Sequence, residues 1–243
     1  MTASTAPLAG KTALVTGASA GIGWATAIAL AHQGANLVVT ARREERLRQL
    51  CAEIEALGTK AVFYAGDAAE ENTASQSIAL AIANFGHLDI VINNAGAGNY
   101  KNLIDTSVEE YDSLMDANMK SGFLFSRFAA PLFIEQKSGT ILFISSVAGL
   151  QGIGGEAVYC ASKFAQIGFA QSLDAELRKH GIKVGSICPG GVKSEFGLGR
   201  GRTEEYIRSS HMMEPQEVAE AIVFACLQPP NVRIPQMTVR HMG

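Results

Sequence analysis

The chain has no paired cysteine motif, no long apolar run and no strong charge of either sign, and each absence removes a class of function. Its four cysteines, Cys51, Cys160, Cys188 and Cys226, are scattered. None forms a C-x-x-C pair, which excludes a zinc knuckle or a dithiol redox motif. Single cysteines at apolar positions read as buried thiols in a reducing compartment. The five histidines (His32, His87, His180, His211 and His241) lie far apart without metal-ligand spacing, so no metal is expected. His32 and His180 fall at the ends of helical stretches, where a cationic side chain suits the dipole. With 20 Lys and Arg against 23 Asp and Glu, the net charge is −3. That balance gives no electrostatic reason to bind nucleic acid or an anionic membrane. No apolar stretch reaches membrane-spanning length. The opening MTASTAPLAGKTALV lacks the basic region and long apolar stretch of a secretory signal. A soluble, cytoplasmic protein with a small-molecule ligand is the expectation.

What is present is a regular rhythm. The 243 residues, 47% hydrophobic, suffice for one large α/β domain with a core of its own. Four times a helical stretch meets a glycine and then a β-branched run: AHQ-Gly34-ANLVVT, EAL-Gly58-TKAVFY, ANF-Gly86-HLDIVIN and RKH-Gly181-IKVGSI. Glycine suits the left-handed position that closes a helix, and Val/Ile-rich runs suit strands buried on both faces. Such alternation predicts βαβ crossovers and a doubly wound parallel sheet of about seven strands, with helices on both faces. The strands are expected at about 11–16, 36–41, 60–65, 89–93, 139–144, 183–188 and 232–239. Helices are expected at about 21–33, 43–57, 70–85, 107–117, 119–136, 157–179 and 215–227. No linker divides the chain, so 1–243 reads as a single domain. Residues 189–214, rich in glycine and without a clear pattern, read as a substrate-binding loop beyond a strand's C-terminal end.

The first strand, KTALVT, runs into Gly17-Ala18-Ser19-Ala20-Gly21-Ile22-Gly23 and then a helix. Glycines allow a tight turn and close approach of a pyrophosphate, and the helix offers free N–H groups and its positive dipole end. Thr16-Gly17-x-x-x-Gly21-Ile22-Gly23 resembles the glycine motif of the classical short-chain dehydrogenase/reductase family. The resemblance implies a single-domain Rossmann-type fold and a nicotinamide dinucleotide bound on this loop, with Ser19, Ala20 and Ile22 among its contacts. After the second strand come Arg42 and Arg43, where an acidic residue would bond a ribose 2′-hydroxyl and an arginine can fork onto a 2′-phosphate. Ala41 occupies the position that is acidic in NAD-preferring relatives, so NADP(H) is the expected cofactor. Relatives that prefer NADP often carry a second basic residue before the middle glycine; here it is Ala20. By the same resemblance Asp67 accepts a hydrogen bond from the adenine amino group, with Ala68 presenting backbone. A helix N-cap is the other reading of Asp67. Asn93-Asn94-Ala95-Gly96 matches the family's N-N-A-G motif, which lines the cofactor path.

The chemical end lies in AVYCASKFAQIGFAQSL, where Tyr159 and Lys163 share one helix face at i,i+4. A free phenol titrates near ~10. A neighbouring ammonium and an oxidised nicotinamide both favour the phenolate, so Tyr159 can act as general acid or base. Ser146 ends the fifth strand thirteen residues before Tyr159, which matches the family's serine, and its hydroxyl can polarise a carbonyl. Ser145 is the adjacent alternative, but alternation along a strand and the spacing select Ser146. Asn118 resembles the family's asparagine that links Lys163 to solvent through water; a polar break between two helices is its plainer reading. Pro189-Gly190-Gly191-Val192-Lys193-Ser194 resembles the P-G-x-V-x-T segment that holds the nicotinamide carboxamide, with Ser194 in place of threonine. The resemblance runs from Thr12 to about Leu227. It implies a hydride exchange between NADP(H) and a small ketone, hydroxy acid or other carbonyl/secondary alcohol. Ser146, Tyr159, Gln151 and Gly191 are the expected substrate contacts. Ala97, Asn99, Phe196 and Tyr206 are further pocket candidates, and Arg200 or Arg202 could clamp a carboxylate. A non-catalytic cofactor-binding regulatory relative is the alternative, as is a lyase or epimerase on the same fold. The family's habit, and the apolar content of 107–136 and 157–179, imply a homodimer or homotetramer; the ending VRIPQMTVRHMG could supply an exposed last strand.

Overall fold

This computed structural model describes residues 6–242; residues 1–5 and Gly243, the two ends of the expected domain, lie outside the described residues. Seven strands form in the predicted order: β1 (Thr12–Thr16), β2 (Asn36–Ala41), β3 (Ala61–Ala65), β4 (Ile90–Asn93), β5 (Gly139–Ile144), β6 (Ile182–Pro189) and β7 (Gln236–Val239). They make one sheet of order β3-β2-β1-β4-β5-β6-β7. Every pair is parallel. The order reverses at β1, which pairs with β2 through Leu14↔Val38 and with β4 through Leu14↔Val91. The crevice of a doubly wound sheet opens at that reversal, beyond the strands' C-terminal ends.

The strands are apolar because helices cover both faces. Ala13, Val15, Leu37, Val39, Ile90, Ile92, Leu142 and Ile144 point to one side. There they pack on α1 (Gly21–His32), α2 (Glu44–Ala56) and α8 (Pro215–Cys226). Their neighbours Leu14, Val38, Val91, Ile141 and Phe143 point to the other. That side carries α3 (Glu71–Phe85), α5 (Ser121–Gln136) and α6 (Ala157–Leu177), with α4 (Val108–Met115) beside α6. Successive side chains on a strand face opposite ways, so each strand feeds two cores. All four glycines that punctuate the rhythm adopt left-handed backbone, with φ of 92° at Gly34, 87° at Gly58, 80° at Gly86 and 78° at Gly181.

Three departures from the sequence reading bear on the site. The helices expected at 107–117 and 119–136 are not separated at Asn118: α4 continues through a π turn, Asp116–Lys120, into α5. A single π turn widens the helix without ending it, and such turns concentrate at functional sites. The 189–214 stretch is more ordered than its composition suggests. Val192 and Leu198 bridge to Met213 and Arg202. A short helix α7 (Glu204–Ser209) is capped by Thr203, whose hydroxyl accepts from the Tyr206 N–H at 3.2 Å. Strand β7 begins at Gln236 rather than near 232, because Pro235 has no N–H to donate to a ladder. It forms the sheet edge with alternate residues exposed, as the reading of the C-terminal segment expects.

Candidate active site

A cleft of about 860 Å³ runs along the C-terminal ends of the strands. One end lies at the sheet's reversal, where β1 and β4 deliver their loops side by side. The Thr16 hydroxyl accepts from the N–H groups of Asn94 at 2.9 Å and Ala95 at 2.8 Å. The Asn94 amide donates back to the carbonyls of Thr16 at 2.9 Å and Gly17 at 3.3 Å. These bonds draw the two loops so close that a Cβ on Gly17, where φ is 65°, would lie 2.9 Å from the Ala95 Cα. A Cβ on Gly23 would lie 2.5 Å from both the Asn94 amide nitrogen and the Gly17 carbonyl oxygen. The glycine motif is therefore demanded by loop-to-loop packing. Ser19, Ala20, Gly21 and Ile22 line the cleft at the N-terminus of α1, where unpaired N–H groups suit a pyrophosphate.

The end of the cleft beside β2 is cationic. Exposed Arg42 lines it. Arg43 donates to the Ser19 hydroxyl at 3.0 and 3.1 Å and forms an ion pair with Glu195 at 2.7 Å. Arg46, which the sequence reading passed over, stacks 4.7 Å above the Trp24 ring and donates to the Ser19 carbonyl at 3.4 Å. Its place in the first turn of α2, close after Arg42 and Arg43, was the available signal. Asp67 and Ala68 line the same end. Asp67 makes a local turn, its carboxylate accepting from the Ala69 N–H at 2.9 Å, while the residue preceding α3 is Glu70; the cap reading is thus replaced by a turn.

At the other end, Ser146, Tyr159 and Lys163 share one wall. Ser145 donates its hydroxyl to the Lys163 carbonyl at 3.1 Å and is committed to the helix backbone. Ser146 accepts from the Ala148 N–H at 3.1 Å and stands beside the Tyr159 phenol, as the spacing predicts. Lys163 is buried, and its ammonium donates to the Ile144 carbonyl at 2.9 Å and the Gln166 amide oxygen at 3.0 Å. Burial pushes Lys163 down to about 7. The expected lowering of the phenol rests on Lys163 together with an oxidised nicotinamide; the protein's own groups shift it upward. Burial raises Tyr159, with Tyr100 and Glu156 acting in the same direction, while Ser146 and Arg202 oppose them. The lysine nitrogen lies 5.8 Å from the centre of the Tyr159 ring and is aimed at its two acceptors, which explains the difference.

Asn118 is wholly buried on the π turn, where it is an anchor rather than a helix break. Its side chain accepts from the Ala97 N–H at 2.7 Å and donates to the Ala97 carbonyl at 3.0 Å and to Ser162 at 2.8 Å. Gly96 makes this possible, since a Cβ there would lie 2.8 Å from the Asn118 amide oxygen. The Asn118 main-chain carbonyl accepts from the Gln166 amide at 2.6 Å. Gln166 thus joins Lys163 to Asn118 directly. It escaped the sequence reading, although i+3 from Lys163 sets it on the same helix face.

Pro189, Gly190, Gly191, Val192 and Ser194 also line the cleft. Ser194 lies over the glycine loop, 3.1 Å from where a Gly21 Cβ would stand. Among the pocket candidates Ala97, Phe196, Arg200 and Arg202 line the cleft. Gln151, Asn99 and Tyr206 do not: Gln151 and Tyr206 are exposed, and Asn99 is buried behind the wall. Among the described residues no cluster of three His, Cys, Asp or Glu could hold a metal. No helix is long and apolar enough to cross a membrane among the residues described.

The short chain dehydrogenase family model matches residues 11–204, and the chain belongs to that family of oxidoreductases. It is 36% identical over 230 residues to an uncharacterized oxidoreductase of Staphylococcus epidermidis, covering 95% of this chain and 96% of the relative. A metagenomic short-chain oxidoreductase solved in complex with NADP superposes with a TM-score of 0.84 at 33% identity, covering 98% and 99% of the two chains. An alcohol dehydrogenase from the archaeon Thermococcus sibiricus, complexed with 5-hydroxy-NADP, superposes with a TM-score of 0.86 at 26% identity, covering 96% and 97%.

Proposed function

We propose that the protein is an NADP(H)-dependent oxidoreductase that exchanges a hydride between nicotinamide and a small carbonyl or secondary alcohol, with Tyr159 as general acid/base. The observation that carries this reading is one continuous cleft with an arginine-lined adenosine end and a Ser146–Tyr159–Lys163 wall. The residues present fit the phosphorylated cofactor: Ser19, Arg42 and Arg43 line one end of the cleft and would hold a 2′-phosphate, and β2 ends in Ala41 rather than a carboxylate. Complexes of two similar structures with NADP or its 5-hydroxy derivative support the same choice. Gly17, Gly21 and Gly23 shape the loop for the pyrophosphate, Asn94, Ala95 and Gly96 line its path, and Asp67 and Ala68 face the adenine. Pro189, Gly190, Val192 and Ser194 hold the carboxamide end.

Bound nicotinamide supplies or accepts the hydride. Ser146 would donate a hydrogen bond to the substrate oxygen and orient the carbonyl. Tyr159 gives its proton to that oxygen in reduction and removes it in oxidation. Lys163, held by Ile144 and Gln166, lies beside the Tyr159 ring, and Asn118 fixes the wall through Ala97 and Gln166. The strap 189–214 borders the substrate, with Gly191 at its start. The four free cysteines are all buried, which supports a cytoplasmic setting. Exposed Phe123 on α5 and Phe164 on α6 support a homodimer or homotetramer, read by light scattering.

Loss of nicotinamide absorbance with NADPH and a panel of ketones tests the reaction. Tyr159→Phe is expected to lower kcat by about a thousandfold, within the span of general acid catalysis, while NADPH fluorescence shows unchanged binding. A variant that keeps most of its rate overturns the role of Tyr159.

A further inference from the structure

The chamber in front of Tyr159 is closed by two segments remote in sequence. Tyr100, from the loop after β4, sets its ring 6.1 Å from that of Tyr159, and Phe196, from the strap, sets its ring 5.9 Å away. Over Tyr100, 4.7 Å from the ring centre, lies the Arg202 guanidinium. From Tyr159 to Arg202 is thus one intervening ring.

The position of Arg202 is built. Gly197 and Gly201 have φ of 80° and 107°. A Cβ on either would lie 2.4 Å from a Tyr100 atom, so ring and backbone interlock only with glycine at both places. The Arg202 N–H donates to the Gly197 carbonyl at 3.1 Å, and its own carbonyl accepts from Gly199 at 3.2 Å. The Tyr100 N–H donates to the Arg200 carbonyl at 3.1 Å, which ties the two segments together. Backbone held in this way fixes where the Arg202 side chain starts, and stacking on Tyr100 sets its guanidinium.

What the guanidinium lacks is an anion. Among the described residues no carboxylate lies within ion-pair distance of Arg202. Glu156 also lines the chamber and interacts with Arg202 electrostatically from beyond ion-pair distance; burial raises its carboxyl and Arg202 opposes the shift. Arg200, another cation of the strap that lines the cleft, is exposed and also acts on Glu110. Stacking on Tyr100 offsets part of the desolvation of Arg202. Its planar donor fork is matched best by a carboxylate, which accepts two parallel hydrogen bonds.

We propose that the substrate is a small oxo acid, reduced to the hydroxy acid, whose carboxylate Arg202 holds across Tyr100 while its carbonyl meets Ser146 and Tyr159. The inference rests on the proposed reaction and names its substrate class. The balance is that of a carbonyl reduction. The carbonyl carbon gains a hydride with both electrons from NADPH, the oxygen gains the Tyr159 proton, and NADP⁺ and the hydroxy acid leave. In the reverse direction the phenolate takes the hydroxyl proton.

The test compares acetoacetate and 4-oxopentanoate with their methyl esters in the NADPH-saturated enzyme, alongside neutral ketones. In the wild type the acids are expected to exceed their esters in kcat/KM by about tenfold or more, the scale of one charged hydrogen-bonded pair. Arg202→Leu is expected to collapse that ratio through the KM of the acids, and Arg202→Lys to restore part of it. NADPH fluorescence verifies that each variant still binds cofactor. Equal use of acids and esters, an unchanged ratio in Arg202→Leu, or turnover of neutral ketones with every acid inert overturns the inference and leaves the proposed reaction standing. Inertness of every compound overturns both.

Discussion

The two ends of the cleft are made of different material. The end at the sheet's reversal is tied through backbone: main-chain groups of Thr16, Gly17, Asn94 and Ala95 bond to the short side chains of Thr16 and Asn94, and the glycines are fixed by contact. The substrate end is built from long side chains on two loops, Tyr100 and Arg202 above all, with two glycines serving the ring. Backbone architecture tolerates few residue types, so it leaves a spacing that can be read. Side-chain architecture permits many solutions, and its partners lie about a hundred residues apart.

The largest effect that sharpens this contrast is in the pH dependence of the chemical end. Because burial raises Tyr159, the phenol stays protonated through neutrality, so reduction is expected to be level from about pH 6 to 9. Oxidation needs the phenolate, whose fraction below its pKa grows about tenfold per pH unit. Lys163 loses its charge above about 7 and gives the phenolate no help there, so kcat/KM for alcohol oxidation should climb steadily to pH 10. A plateau reached near pH 7 would show a phenol depressed after all. Next in size, Arg42→Ala should raise the dissociation constant of NADPH by about ten- to a hundredfold, the value of a charged hydrogen bond, with little change for NADH. Titration by fluorescence with both cofactors decides it, and equal losses would place Arg42 away from the 2′-phosphate.

A matched pair of glycines compares the two ends directly. Gly17 and Gly199 are both left-handed, with φ of 65° and 70°, but a Cβ at Gly17 meets the Ala95 backbone, whereas one at Gly199 meets nothing within 4 Å. Gly199→Ala should cost about 1–2 kcal/mol of local strain alone. Gly17→Ala adds a backbone clash, so its melting temperature should fall further and its NADPH binding should weaken. Equal losses would break the contrast. The smallest effect is Thr203→Ala, expected to cost about 1 kcal/mol of helix capping. Hydrogen exchange should quicken in Glu204–Ser209 while NADPH affinity holds.

Legibility follows the same division. Strand positions were readable because a parallel sheet covered on both faces demands β-branched runs, and helix ends were readable at Gly34, Gly58, Gly86 and Gly181. The positions of Gly17, Asn94, Ser146 and Lys163 in one cleft followed from motif order. Gln151 was misplaced because its distance along the chain from Ser146 says nothing of the turn between them, which carries it to the surface. The π turn at Asn118 left no trace in the periodicity, since it adds one residue to a helix whose polar faces continue. Tyr100 and Glu195 could not be found at all: their partners, Arg202 and Arg43, are set by tertiary contact.

The Arg43–Glu195 ion pair has a kinetic consequence. Both side chains are about half exposed, so the pair adds little to equilibrium stability. It nevertheless joins the end of β2 to the strap that follows β6, two walls of the same cleft. Exposed pairs weaken as salt rises. Dissociation of NADP⁺ should therefore quicken with ionic strength, which would make turnover limited by product departure a quantity that the surrounding electrolyte sets.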